Sequence, residues 1–455
     1  MITRHFINIP SDSGSRRVHY RKSGSGPPLL MVHQSPRSSK EYEALMLKWA
    51  KHFTCIAPDT PGFGQSTPLP GTPEIDAFAD ALTDLLDALG IEKCAAYGFH
   101  SGGIILVTAV KRNPHRFATL AIGGYAIWSQ EELKLFDEKY LPEFHPSPYG
   151  EHLTWLWNRI LEQTWFFPWF AAEDRFRLTV AHDDPERVDA VIHEMLDAGN
   201  AYRAGYGAVL RAPRDIPDID AVIPPCLISA YDGDPLQDHI GRLGEMPPTW
   251  SALKVANPEE HQQASLNHLL ATNSSDIVSL NQERDAGFIH IQTDEFDGLL
   301  HWNGNHEADV LKPNAPGKAW SSTPDKEAIY IELPGHGWSD DWTQDAPTDW
   351  SKWQAVLDAC AALLGTNQIE FPKVPEGQPD HLYPDLTPDR FGHYLHTAWQ
   401  IVRAQKMFEP WYKADKDHAI VIDSEALEPV LLARDHRDRL NARSAKQYHL
   451  ALQSR

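Results

Sequence analysis

Residues 97–103, Tyr97-Gly98-Phe99-His100-Ser101-Gly102-Gly103, decide the fold. The apolar run Cys94 to Tyr97 in front of them reads as a strand, and Gly102 to Lys111 behind them as a helix. A sharp strand-to-helix turn needs small residues two before and two after its apex, because a side chain there would clash across the turn. With His100 at the apex, Gly98 and Gly102 fill those two places. With Ser101 at the apex, Phe99 would have to occupy the first, which sterics disfavour. The register therefore predicts an exposed imidazole, not a serine hydroxyl, at the tip. A plain helix start with a capping serine is the alternative without chemistry.

Working outward, strand and helix signals alternate. Arg17 to Arg21 alternates as a half-exposed strand, while Pro28 to His33 and Phe53 to Pro58 are short apolar runs. Asp59 to Ser66 (DTPGFGQS) is a glycine- and proline-rich turn, and Ile75 to Leu89 has helical spacing up to Gly90. Leu120 to Ile122, Cys226 to Tyr231 and Trp250 to Ala256 complete the strand signals. This rhythm predicts crossover units and a mostly parallel sheet. Between about 126 and 222 the texture is helical and strongly aromatic, which predicts a lid over the sheet's carboxyl edge, where open α/β sheets place ligands.

A second pattern follows. Gly150, Leu153, Trp157, Gln163, Phe166, Pro168 and Trp169 recur at a constant offset of 242 as Gly392, Leu395, Trp399, Gln405, Phe408, Pro410 and Trp411. Pro61, Gly62, Gly64 and Ser66 recur as Pro334, Gly335, Gly337 and Ser339. The expected organisation is a first domain over 1–280 and, over 281–455, a degenerate, non-catalytic repeat of strands, one helix and lid. That repeat shows no glycine-flanked elbow and no acid-bearing strand, and the sheet left to it looks too small to bury its own apolar faces.

At 455 residues, with 42% hydrophobic side chains, the chain can build a large core. Its net charge of −22 argues against nucleic acid and anionic membrane surfaces as partners. Cys55, Cys94, Cys226 and Cys360 sit in apolar segments and read as reduced core thiols. Met1 to Pro10 reads as a strand and not a leader, and no run is long enough to span a bilayer. A cytoplasmic monomer or homodimer with a small-molecule substrate is the simplest expectation. No nucleotide or flavin fingerprint is visible, so no cofactor is expected, and no metal.

These motifs, in this order, resemble the α/β-hydrolase superfamily over about residues 1–280. Val32-His33-Gln34-Ser35-Pro36 looks like the family's HG-x-P oxyanion loop, with Gln34 where glycine usually stands. Asp59 to Ser66 looks like its D-x-P-G-x-G-x-S turn, and Tyr231-Asp232-Gly233-Asp234-Pro235 like the end of its acid-bearing strand. The resemblance implies that the backbone N–H groups of Gln34 and Ser101 form an oxyanion hole, and that Asp234 is the acid. It implies His261, which opens a helix 27 positions later, as the base. His336 rivals it, but the repeated turn accounts for that segment better. The Ser101 side chain receives no task beyond that of a hydroxyl at a helix start.

The departure from the family's serine sets the chemistry. An imidazole near neutral pH is both a nucleophile and a base. As a nucleophile it would form a labile acyl-imidazole, and with an Asp234–His261 pair activating the water it would hydrolyse an ester, lactone or related acyl bond of a small hydrophobic substrate. As a base removing a proton it would serve a lyase or isomerase reaction. The alternatives are a cofactor-free lyase, isomerase or oxygenase on the same site, or a binding pseudoenzyme. Trp128, Trp155 and Trp165, which have no counterparts in the repeat, are expected to line the pocket, and Arg37 to meet a substrate carboxylate.

Overall fold

A computed structural model describes the chain apart from residues 12–13, 214–215, 272–285 and 321–326. It divides into two units, one of Met1–Phe144 with Asn158–Gln282, the other of His145–Trp157 with Glu283–Arg455. The expected boundary near 280 falls outside the described residues. Within the expected lid, His145–Trp157 groups with the C-terminal unit.

The first unit is built on eight strands: β1 (Ile2–Ser11), β2 (Gly14–Ser23), β3 (Pro28–Val32), β4 (Thr54–Pro58), β5 (Cys94–Phe99), β6 (Phe117–Gly123), β7 (Cys226–Tyr231) and β8 (Trp250–Val255). Their order in the sheet is β1-β2-β4-β3-β5-β6-β7-β8. The β1–β2 and β2–β4 pairings are antiparallel and the others parallel. β3, β4 and β6 are buried at every position, as continuous apolar runs must be when helices cover both faces of a sheet. Helices α1 (Glu43–Trp49), α2 (Ile75–Ala88) and α3 (Ser101–Arg112) belong to the sheet layers. Between β6 and β7 lie α4 (Gln130–Tyr140), α5 (Glu151–Gln163), α6 (Pro185–Ala198) and α7 (Tyr202–Arg211), and α8 (Pro258–Leu270) follows β8.

The turn from β5 into α3 shows why its flanks are glycine. A Cβ on Gly102 would run into the Val32 carbonyl, and one on Gly98 would lie 2.8 Å from the Gly102 carbonyl carbon. Behind the turn, Ile104, Leu106 and Val110 of α3 are buried in the same cluster as Phe78, Leu82 and Leu86 of α2.

The second unit holds β9 (Ala286–Gln292), β10 (Asp297–Gly304), β11 (Val310–Pro313), β12 (Ile329–Ile331) and β13 (Gln368–Ile369), in the order β13-β11-β12-β10-β9. Read strand for strand, this is the order β5-β3-β4-β2-β1 of the first sheet. Its helices are α9 (Trp350–Leu364), α10 (Pro379–Leu382), α11 (His393–Ala404), α12 (Pro429–Leu440) and α13 (Ala445–Gln453). The expectation of too little sheet to bury its own faces is corrected here. Leu300, Ile329, Ile331, Trp353, Val356, Leu357 and Tyr448 form a buried core of the unit's own. The sequence reading missed α13, which supplies Tyr448; it lies 242 residues after α7, and of that helix few residues besides Tyr206 and Leu210 recur, as Tyr448 and Leu452.

Within this unit, segments 242 residues apart meet reciprocally. Gly150 lies against the Trp399 indole and Gly392 against the Trp157 indole, where side chains would not fit. His152 meets Trp399 edge-on at 4.9 Å, and Tyr394 meets Trp157 at 6.0 Å. Thr154 Oγ1 bonds His396 Nε2, its own counterpart, at 2.7 Å. Such self-complementary pairing is the geometry of a two-fold contact.

Candidate active site

β5 delivers His100 to the tip of the turn with φ 48° and ψ −112°, and among the described residues no other side-chain-bearing residue has positive φ. Backbone strain of this kind costs on the order of 1–3 kcal/mol and persists where the surroundings enforce it. Here the His100 N–H donates to the Gly123 carbonyl at 2.8 Å, and its C=O accepts from Ile104 at 3.2 Å.

The loop after β7 brings Asp234 to the imidazole, with His100 Nε2 3.0 Å from Asp234 Oδ1. The Leu236 N–H donates to the same oxygen at 2.8 Å. Burial by itself raises the Asp234 pKa, but the facing imidazole, its hydrogen bond and the Leu236 amide outweigh it and hold the carboxyl below its usual value. The Asp234 side chain is sealed from solvent, whereas the His100 side chain is 24% exposed. Phe99 stacks on the imidazole with ring centroids 4.2 Å apart.

His261 does not join them. Its Nε2 bonds the Tyr97 hydroxyl at 2.9 Å and its Nδ1 the Ser229 hydroxyl at 2.8 Å. The ring is buried, and burial pushes its pKa down to about 4 despite the nearby Asp234 charge. The expected Asp234–His261 pair is therefore replaced by an Asp234–His100 pair. The reason is geometric, since both ring nitrogens of His261 are satisfied under Phe99, whose ring it meets edge-on at 5.6 Å.

Gln34, the first of the two expected oxyanion donors, is engaged elsewhere. The Gln34 N–H donates to Glu41 Oε1 at 2.8 Å and its side-chain amide to Glu41 Oε2 at 3.1 Å. Gln34 does not line the cavity that holds His100, whereas Ser35 and Ser101 do. The Ser35 N–H donates to Ser101 Oγ at 2.6 Å. Arg37 is likewise committed: its Nε pairs with Glu194, and Nη1 lies 4.0 Å from Glu41 Oε2. Burial pushes the Glu41 carboxyl up to about 7, against the pull of Arg37. A guanidinium held by two carboxylates is not poised for a substrate carboxylate.

The cavity has a mostly apolar wall that includes Trp128, Phe136, Phe167 and Leu236. Tyr140 and Tyr206 add two hydroxyls, bonded to each other at 2.9 Å. Trp128, Phe136, Phe167 and Pro235 are shared with a wider, open groove, which Asp234 also lines. Of the three expected tryptophans, Trp128 alone lines the cavity. Trp165 donates its indole N–H to the His182 carbonyl at 2.8 Å, and Trp155 belongs to the other unit. Sequence reasoning missed Ser35, Tyr140 and Tyr206. Ser35 stood in the quoted loop and could have been found there, while nothing local marks the tyrosines.

In the second unit His336 is fully buried, bonded through Nδ1 to the Pro334 carbonyl at 3.2 Å and edge-on to Tyr448.

Residues 27–142 match the family model described as the alpha/beta hydrolase fold. Haloalkane dehalogenase 2 of Mycobacterium bovis is 30% identical over 125 residues, 27% of this chain and 44% of that protein. An uncharacterized hydrolase of Saccharomyces cerevisiae is 36% identical over 118 residues, 25% of this chain and 40% of that one. The chain thus spans less than half the length of these relatives. Among solved structures, epoxide hydrolase A from Mycobacterium thermoresistibile aligns at TM-score 0.46 and 16% identity, covering 60% of this chain and 100% of that one. The enol-lactonase from Burkholderia xenovorans LB400 aligns at TM-score 0.44 and 17% identity, covering 58% and 99%.

Proposed function

We propose that this alpha/beta hydrolase-fold chain hydrolyses small, largely apolar esters, lactones or related acyl compounds, with His100 as general base and Asp234 as the carboxylate that orients it. The observation carrying this reading is the 3.0 Å His100–Asp234 bond at a strained turn bordering an apolar cavity. A carboxylate held ionised accepts a hydrogen bond from the Nε2–H, which keeps the proton on Nε2 and leaves the lone pair on Nδ1. Nδ1 takes a proton from water as the water oxygen bonds to the carbonyl carbon, and the carbonyl π pair moves to its oxygen. Collapse restores the carbonyl and breaks the bond to the leaving oxygen, which receives the proton from the imidazolium.

The occupied nitrogens of His261 favour this route over an acyl-imidazole, because a second base for the water is then missing. The Tyr140–Tyr206 pair owns two hydroxyl protons and spends one internally, which leaves one for a second substrate oxygen such as the leaving one. The similarity of 125 residues of the chain to a haloalkane dehalogenase supports hydrolysis over lyase, isomerase or oxygenase chemistry. The shared strand order supports reading the second unit as a degenerate copy without chemistry.

The test is a panel of p-nitrophenyl acetate and butyrate. His100→Ala is expected to lose about 10⁴-fold in turnover, in line with removal of an essential base, while His336→Ala keeps it. Undiminished turnover by His100→Ala would overturn the assignment, and a stable acyl adduct on His100 would replace the base by a nucleophile.

A further inference from the structure

Both backbone donors of the loop after β3 are spent, Gln34 N–H on Glu41 and Ser35 N–H on Ser101 Oγ. An oxygen entering beside His100 therefore cannot be received by the Gln34 N–H, as the HG-x-P resemblance implies. Hydrogen accounting shows what remains. Ser101 Oγ accepts the Ser35 N–H at 2.6 Å and donates its own proton to Ser35 Oγ at 3.2 Å. A serine oxygen has one proton and two lone pairs. The Ser35 hydroxyl thus accepts within the pair, and no described residue accepts its own proton. Ser35 is half-buried and lines the cavity together with His100, so this proton is a side-chain donor facing an otherwise largely apolar wall, beside the backbone N–H of Ser101 at the start of α3.

We propose that the Ser35 hydroxyl binds the carbonyl oxygen of the substrate, with Ser101 as the residue that positions it. The inference rests on the acyl-hydrolase reading for its substrate class and deepens it. The Ser101 hydroxyl, which the sequence left without a task, closes a small ring (Ser35 N–H to Ser101 Oγ, Ser101 O–H to Ser35 Oγ) that fixes the Ser35 rotamer. A donor fixed before the substrate arrives loses less on binding than one that must be ordered then. The Gln34–Glu41 bonds anchor the same loop from the other side, so its backbone is held where the hydroxyl is needed.

The infrared band of a non-hydrolysable probe, acetophenone, tests this without turnover. In the wild-type protein the bound carbonyl stretch should move to lower frequency than in an apolar solvent. Ser35→Ala should lose that shift while still taking up acetophenone, and Ser35→Thr, which keeps a hydroxyl, should restore it. Ser101→Ala should keep a shifted but broadened band, because the donor remains and its orientation is lost. With p-nitrophenyl acetate, Ser35→Ala should lower kcat by roughly 10²-fold with little change in KM, the effect of deleting one preorganised donor. An identical carbonyl band in wild type and Ser35→Ala overturns the proposal, as does failure of the cavity to take up acetophenone. Since the band needs no catalysis, loss of the hydrolytic reading and loss of this subsite are told apart.

Discussion

The two sheets share five strands in the same order and diverge where the fifth ends. In the first unit β5 runs six residues into Gly98, His100 and Gly102. In the second, β13 is two residues long and is followed by Glu370-Phe371-Pro372, with neither glycine to admit a sharp turn. Before that point the units keep the same local device. His19 Nδ1 meets Asp59 at 2.8 Å and His301 Nδ1 meets Glu332 at 3.1 Å, at corresponding glycine turns. Ser66 Oγ accepts the His19 N–H, and Ser339 Oγ the His301 N–H. The side chains of all four pair members are at most 3% exposed. A buried histidine–carboxylate pair is thus used twice as scaffold, in a unit with an elbow and in one without. What sets His100–Asp234 apart is the partial exposure of the imidazole to a cavity.

The sharpest way to break that distinction is to neutralise each acid. Asp234→Asn should reduce ester turnover by about 10²- to 10⁴-fold, the range for a disturbed orienting acid, with an unchanged melting temperature. Asp59→Asn and Glu332→Gln should do the reverse, destabilising by about 3–5 kcal/mol, as for a broken buried pair, with normal turnover per folded molecule. Denaturant titration and steady-state kinetics on the three variants check it. A large stability loss in Asp234→Asn would return that pair to the scaffold class.

Removing the second unit is the next test. Ending the chain at residue 282 leaves Leu153 and Trp157, both buried, without Gly392 and Tyr394, against which Trp157 packs. The fragment is expected to aggregate, because a contiguous apolar patch is uncovered. A soluble, monomeric fragment with full turnover, seen by size-exclusion chromatography and assay, would show that the unit is dispensable.

The smallest effect concerns His336, which stands where the first turn has Phe63. Burial pushes its pKa down to about 4, and its Nε2 is buried without a partner. Unfolded, the ring protonates below about 6.5. Its neutral burial therefore leaves stability intact above that value and drains it as pH falls from about 6.5 toward 4, by up to about 3 kcal/mol. His336→Phe should flatten the decline in melting temperature between pH 7 and 5 while leaving the pH 7 value unchanged or higher. An unaltered decline would mean that His336 does not carry it.

Much of this was legible in the chain, each part for a stated reason. The turn at His100 was readable because glycine spacing is a local steric demand, and the Val32 carbonyl against Gly102 shows the wall that imposes it. The parallel strands were readable because strands covered on both faces must be continuously apolar. The repeat was readable because a fixed offset survives divergence. The pairing of the site was not. His261 had the right order and spacing for a base, yet Tyr97 and Ser229, distant in sequence, take both its nitrogens. Gln34 and Arg37 had the right loop, yet Glu41, and for Arg37 also Glu194 from the lid, claim them.

The sequence by itself determined which residue stands at the apex of the elbow, the mostly parallel sheet around it and the recurrence of the lid pattern, because each depends on neighbours a few residues apart or on a regular period. Only the tertiary structure decided that Asp234 bonds to His100, that Ser35 and Ser101 share their hydroxyls in the cavity wall, and that Tyr140 and Tyr206 meet at an apolar space. Those are contacts across 66 to 134 positions. Hydrogen-bond donors and acceptors are satisfied by whatever the packing brings within about 3 Å, and no local pattern encodes which group that will be.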